Sequence, residues 1–288
     1  MNNYIIFTDS ACDLTEETLA DWGVKYIELT YTFSDSPRQW GNYELDAPEF
    51  YQKMREGGVA KTSAININGF IEAFEPIVAD GADVLYLGFS GGLSSTVSSA
   101  AMAANQLCEK YPERRIIVID TLAASAGQGL LVHLAVEAKR GGADMDAVAA
   151  VVRENILKLA HWFTVDDLVY LKRGGRVSAA AAFVGGMLGI KPVLHVDNEG
   201  HLIAMEKVRG RRTSLKLMAQ KYAETAETPD AGVVYISHGD CIDDALTLAG
   251  MLKEAHGVDV SLITEIGSVI GAHSGPGTLA LFYIAKER

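Results

Sequence analysis

The 288-residue sequence is poor in cysteine, and the three it has, Cys12, Cys108 and Cys241, lie far apart. No CxxC or Cys/His spacing occurs, which argues against a disulfide framework and a zinc cluster and fits a reducing, cytoplasmic setting. Basic charge is short as well: 25 Lys and Arg against 37 Asp and Glu leave a formal net charge of −12. Phosphate repels such a chain, so neither nucleic acid nor an anionic membrane surface is an expected partner. The N-terminus MNNYIIFTDS lacks the basic and apolar regions of a signal peptide. The longest uncharged apolar stretch, Val177–Ile190, is too short to span a bilayer. It reads as a buried helix or a cavity wall, and stable membrane insertion is not expected. Gly127-Gln128-Gly129 does not directly follow a strand, so it is no dinucleotide fingerprint, and the seven histidines show no metal-ligand spacing. No metal or cofactor is expected.

What is present is ordinary globular material, 49% hydrophobic and 22% charged. In the first half, β-branched runs at Tyr4–Thr8, Val24–Thr30, Val84–Phe89 and Arg115–Asp120 read as strands. Helical patterns at Glu16–Trp22, Ala47–Arg55, Ile67–Ala79 and Leu93–Lys110 alternate with them, and Leu122–Lys139 and Met145–Leu159 follow. Asp46 and Glu49 form a capping-box-like start. This alternation implies βα units and a mainly parallel sheet. The second half has strands at His161–Val165, Lys191–Val196, His201–Val208, Gly232–Ser237, Val258–Glu265 and Thr278–Ala285. Asp197-Asn198-Glu199-Gly200 joins two of them as a hairpin, and helices near Arg212–Tyr222 and Asp243–His256 separate later ones. The expected fold is therefore α/β with two domains: residues 1–160 around a mainly parallel sheet, and 161–288 as an α+β mixed-sheet unit. A ligand cavity is expected between them.

Gly88-Phe89-Ser90-Gly91-Gly92-Leu93-Ser94-Ser95-Thr96 follows an apolar strand and opens a helix. Unpaired helix-start N–H groups, close backbone approach at Gly92 and several hydroxyls suit a carboxylate or phosphate. Capping of the helix by Ser94 or Ser95 is the alternative. The same residues satisfy G-x-S-x-G, so a serine hydrolase using Ser90, with Asp120 or Asp166 and His238 or His273, is a second functional reading. Thr8-Asp9-Ser10 ends the first strand, where loops line sites in parallel sheets, and Asp13 reads as a helix cap. Lys61-Thr62-Ser63 lies in a loop before a helix, its hydroxyls able to face the same anion. Leu171-Lys172-Arg173-Gly174-Gly175-Arg176 is either a basic helix end closed by glycine or a docking surface. Arg209, Arg211 and Arg212 precede a helix, where cations are unfavourable, and imply a partner or an internal ion pair. The glycine-rich run Gly267–Gly277 carries His273, a candidate hydrogen-bond donor.

In this order, these segments resemble the DegV family along almost the whole chain, together with Gly189-Ile190-Lys191-Pro192 and Ile266. The resemblance implies a two-domain α/β protein that holds a long-chain fatty acid in an interdomain cavity and is not itself an enzyme. It also implies a separate fatty acid kinase subunit that phosphorylates the bound carboxylate. By that similarity Thr62 and Ser94 hold the carboxylate with His273 nearby, and the adjoining Ser63 and Ser95 are counted with them as carboxylate-binding candidates. Ser10, Gly92, Phe183, Met187, Ile190 and Gly275 line the site, and Lys172, Arg173 and Arg176 face the partner. The family's Thr-Ser-Gln-Pro-Ser stands here as Thr62-Ser63-Ala64-Ile65-Asn66. Its Ser-Ser-Gly-Leu-Ser-Gly-Thr stands as Ser90-Gly91-Gly92-Leu93-Ser94-Ser95-Thr96.

Overall fold

A computed structural model describes residues 3–176, 189–229 and 232–288. Phe183, Met187 and most of the Val177–Ile190 stretch lie outside the described residues. In chain order the chain forms β1 (Tyr4–Asp9), α1 (Glu16–Asp21), β2 (Lys25–Ile27), β3 (Thr30–Phe33), β4 (Gln39–Gly41), α2 (Ala47–Arg55), β5 (Ala60–Ser63), α3 (Ile67–Ala79), β6 (Asp83–Gly88), α4 (Thr96–Lys110), β7 (Ile116–Asp120), α5 (Ala126–Arg140) and α6 (Met145–Ile156). There follow β8 (Leu159–Thr164), α7 (Val169–Gly174), β9 (Ile190–Val196), β10 (Leu202–Arg209), α8 (Arg211–Thr225), β11 (Val234–His238), α9 (Ile242–His256), β12 (Leu262–Glu265), α10 (Ser268–Ser274) and β13 (Leu279–Ile284).

The first sheet is parallel throughout, in the order β2-β1-β6-β7. β6 is buried along its whole length, as an unbroken apolar run between helical layers should be. The second sheet is mixed, β10-β9-β8-β13-β11-β12, with only the β11–β12 pair parallel. The fold class is thus α/β with a parallel first sheet and a mixed second one. One apolar cluster runs from Ile6, Leu85 and Ile119 of the first sheet, through Leu130, Leu131 and Val148 of α5 and α6, to Phe163, Leu194 and Phe282 of the second. Leu130 and Leu131 are fully buried, and truncating either to Ala would cost roughly 2–5 kcal/mol. Separate clusters lie beneath α3 and α4 on the outer face of the first sheet, and beneath α8 and α9 on the outer face of the second.

Several helix starts follow from local sequence. Asp46, Asn66 and Asp144 each accept a hydrogen bond from the third residue of their helix. The basic run ends α7, and Gly175 closes it at φ 68°. Arg211 opens α8 and pairs with Asp244 at 2.8 Å, an internal ion pair.

Three expectations change. Val24–Thr30 is not one strand: Glu28 and Leu29 separate β2 of the first sheet from β3 of a third sheet, β4-β3-β5, because the Leu29 N–H donates to Ser10 Oγ instead of to a strand neighbour. Lys61-Thr62-Ser63 is not a loop but part of β5, which pairs antiparallel with β3. The helix expected from Leu122 begins only at Ala126, since Leu122 (φ 49°) and Ser125 (φ 56°) hold left-handed backbone incompatible with a helix.

Candidate functional site

A cavity of about 140 Å³ lies where the three sheets meet. Phe163 of β8, Ala280 and Phe282 of β13, and Leu202 of β10 form one wall. The carboxyl-end loops of the first sheet add Phe89, Leu93, Ala124 and Ser125, and α10 adds Val269 and Ile270. Most of the lining is aliphatic or aromatic. Thr62, Ser94, Ser95, His273 and Arg176 are among the polar residues that line it, and Thr62 and His273 are in contact.

Thr62 Oγ1 and His273 Nε2 are 2.8 Å apart. Burial, followed by the nearby positive charge of Arg176, pushes the His273 imidazole down to about 4, so it is neutral at physiological pH. Its Nδ1 is buried without a hydrogen-bond partner among the described residues. That side of the ring packs against Gly174, where a Cβ would fall 2.2 Å from Nδ1. Arg176, itself exposed, donates from Nε to the Leu93 carbonyl at 3.3 Å and from its guanidinium to the Gly174 carbonyl at 2.6 Å. It thereby joins the loop that carries Ser94 to the end of α7.

The glycine-rich loop before α4 is held from below. Asp9 accepts from the Tyr86 hydroxyl at 2.6 Å and the Phe89 N–H at 2.9 Å. Asp120 accepts from the Gly91 N–H. Of the two candidate caps, Ser94 bonds the helix start: its Oγ accepts from Thr96 N at 3.3 Å and lies 2.9 Å from Thr96 Oγ1. Ser95, at the N-cap position, makes no side-chain cap bond. Ser90 is fully buried and faces away from this chemistry. Its hydroxyl donates to the Gly200 carbonyl at 2.9 Å and accepts from Gly92 N at 3.2 Å. Among the described residues, no histidine or carboxylate is bonded to it, so the loop lacks the base that an activated serine needs.

The α10 helix is anchored at its start. Asp13 accepts from Gly267 N at 3.0 Å and from Ser125 Oγ at 2.5 Å, and Asn42 Oδ1 accepts from Val269 N at 2.9 Å. Asp13 is thus a tie between α5 and α10, with left-handed backbone, rather than the cap of α1, where Thr15 serves. Burial pushes its carboxyl up to about 7.

Not every expected residue reaches the cavity. Ser63 follows Thr62 on β5 and points to the opposite, exposed face. Ser10 is buried and accepts from Leu29 N. Gly92 abuts the β9–β10 hairpin, where a Cβ would meet the Glu199 carbonyl at 2.7 Å, and Gly275 packs on the Tyr170 ring. Ile190 opens β9 and does not line the cavity. Lys172 and Arg173 are exposed on α7. Ser125, His161, Ser274 and Thr278 line it without having been singled out. The only sequence signal for the last was the alternation of Thr278, Ala280 and Phe282 along one strand face.

A family model for DegV, described as an uncharacterised protein family, matches residues 3–286. The chain belongs to the DegV family. A DegV domain-containing protein of Clostridium perfringens, CPE0026, is 44% identical over 290 residues, covering 100% of this chain and 99% of the relative. A DegV family protein from Thermus thermophilus, whose structure is described as showing fatty acid binding, is 31% identical with a TM-score of 0.89, covering 98% of this chain and 99% of that one. A stearic acid-binding protein from Eubacterium ventriosum is 26% identical with a TM-score of 0.88, covering 98% of each chain.

Proposed function

We propose that this protein binds a long-chain fatty acid, tail in the apolar cavity and carboxylate at the Thr62–His273 end, and acts as a non-catalytic carrier in the cytoplasm. The observation that carries this reading is the 2.8 Å hydroxyl–imidazole pair in the wall of a cavity lined mostly by aliphatic and aromatic side chains. The DegV family protein of Thermus thermophilus and the stearic acid-binding protein of Eubacterium ventriosum, both described as fatty acid binders, support it. Each CH₂ withdrawn from water contributes about 0.8 kcal/mol, so the tail supplies most of the affinity. The head needs donors, because a buried unpaired carboxylate is costly. With its proton on Nε2, His273 donates to Thr62 Oγ1 and leaves the Thr62 hydroxyl hydrogen free for the carboxylate. Ser94 and Ser95 are further donors, and Arg176 supplies positive charge at the mouth.

We also assign the phosphorylation of that carboxylate to a separate kinase subunit. The sequence carries no P-loop for a nucleotide, and Lys172, Arg173 and Arg176 form a basic edge beside the head-group end in an acidic chain. The division into residues 1–160 and 161–288 belongs to this reading, with the ligand between the units.

Native mass spectrometry of protein purified from bacteria tests the reading. A bound acyl chain is expected, with lower occupancy in a Thr62→Val, Ser94→Ala double variant. A protein that carries no acyl chain and takes up none on titration defeats the proposal.

A further inference from the structure

A second pocket, of about 430 Å³, shares the start of α10 with the acyl cavity. The turn from Asp13 to Glu16, residues 42–47 leading into α2, and the edge strand β12 form its other walls. Four carboxylates line it: Asp13, Glu16, Asp46 and Glu265. Among the described residues no Lys, Arg or His lines it, and none of the four carboxylates forms an ion pair.

An acidic chain carries many carboxylates, and two further features separate this pocket from a solvated acidic patch. Ser268, the first residue of α10, is 2% exposed and lines the pocket. Its hydroxyl makes no hydrogen bond among the described residues, yet it is not fully enclosed, so its remaining surface faces the pocket. The hydroxyl beside it, that of Tyr31, is itself buried without a hydrogen bond. Buried polar groups call for partners, and the partner for Ser268 has to come from the pocket. Tyr43 is the second feature. Its hydroxyl donates to the Leu14 carbonyl at 2.9 Å and its ring packs edge-on against Tyr26, which fixes an aromatic wall. Such a face attracts a cation. Burial, followed by the negative charges of Asp240 and Asp46, pushes the Glu265 carboxyl up, a local field that a cation would relieve. Among the described residues no three acidic side chains converge closely enough to share a metal ion. The negative charges are therefore spread around the pocket, and they suit a ligand whose positive charges are spread as well.

We propose that this pocket binds a small aliphatic polyamine, its ammonium groups paired with Glu16, Asp46 and Glu265 and one N–H donated to Ser268 Oγ. The inference stands apart from the fatty-acid reading. Calorimetric titration of the full chain with spermidine tests it, in about 0.15 M NaCl, where exposed charges are screened beyond about 8 Å. One molecule per chain is expected to bind. In the Glu16→Gln, Glu265→Gln double variant affinity falls about tenfold, the worth of two partly screened ion pairs. In Ser268→Ala it falls about threefold, the worth of one hydrogen bond. Glu109→Gln with Glu254→Gln removes the same charge in the last turns of α4 and α9 and leaves affinity unchanged. Magnesium at equal concentration does not displace spermidine. The proposal is overturned by absence of binding, by a loss in the remote double variant as large as in the pocket variant, or by displacement with magnesium. Tri-lysine binding more tightly than spermidine also overturns it and assigns the pocket to a basic peptide. A melting curve verifies the fold of each variant. Should the pocket double variant fail to fold, Ser268→Ala and the magnesium competition decide.

Discussion

Thr62 on β5 and His273 on α10 are separated by 211 positions in the chain, yet their side chains meet at 2.8 Å. β5 delivers Thr62 because its register with β3, Tyr31 opposite Thr62, puts the hydroxyl on the inner face. α10 delivers His273 because Asp13 and Asn42 hold its first turn. Neither residue has a role in the cavity without the other's element in place.

Thr62→Val keeps the β-branched shape and removes only the hydroxyl. It is expected to weaken acyl binding by about 10- to 100-fold, as a hydrogen bond to a charged group is worth about 1.5–3 kcal/mol, and to lower stability by about 1–3 kcal/mol because His273 Nε2 loses its partner. Calorimetric titration beside a melting curve checks both parts.

Gly174→Ala tests the placement of the imidazole from outside the cavity. The added Cβ would fall 2.2 Å from His273 Nδ1, so the ring or the end of α7 must move. Acyl affinity is expected to fall by tenfold or more, on the order of the 1.4 kcal/mol that factor represents, although Gly174 has no side chain to touch the ligand. Unchanged affinity would mean that ring position is unimportant.

Ser90→Ala separates the carrier from a hydrolase. It removes the bond to the Gly200 carbonyl and the acceptor for Gly92 N, and should cost about 1–3 kcal/mol in urea unfolding. A fluorophosphonate probe should leave wild-type Ser90 unlabelled. Labelling there, with esterase activity lost in the variant, would restore the hydrolase reading.

Much of this arrangement was legible before folding. The βα alternation predicted the parallel sheet, Asp46 marked the start of α2, and the glycine of Lys172-Arg173-Gly174-Gly175 marked the end of α7. The small β4-β3-β5 sheet was not legible: its strands are three or four residues long, and Ala60-Lys61-Thr62-Ser63 has too little apolar alternation to read as a strand. That is why Ser63 was grouped with Thr62, although strand alternation turns it outward. Asp13 looked like a cap because its partners, Ser125 and Gly267, are 112 and 254 positions away, a relation no local pattern records.

Two buried histidines and a buried carboxyl give opposing pH dependences. His273 and His195 are both held down at about 4 by burial, against about 6.5 in the unfolded chain. Stability of the ligand-free protein should therefore fall as pH drops from 6.5 toward 4, by on the order of 3 kcal/mol for each group at the low end. Asp13, pushed up to about 7 by burial, acts in the other sense: its contribution is complete below about 4 and is lost as pH rises toward 7. Asp13→Asn removes that component, so the variant's stability should climb with pH between 5 and 7.5 more steeply than wild type. Urea unfolding at those two pH values measures it.

Carbon-13 NMR of a fatty acid labelled at its carboxyl carbon, bound to the delipidated protein, addresses the head-group end most directly. A single bound resonance is expected, shifted from free acid, that moves again in Thr62→Val and in His273→Gln. A bound resonance identical in wild type and both variants, or no bound resonance at all, would contradict the account.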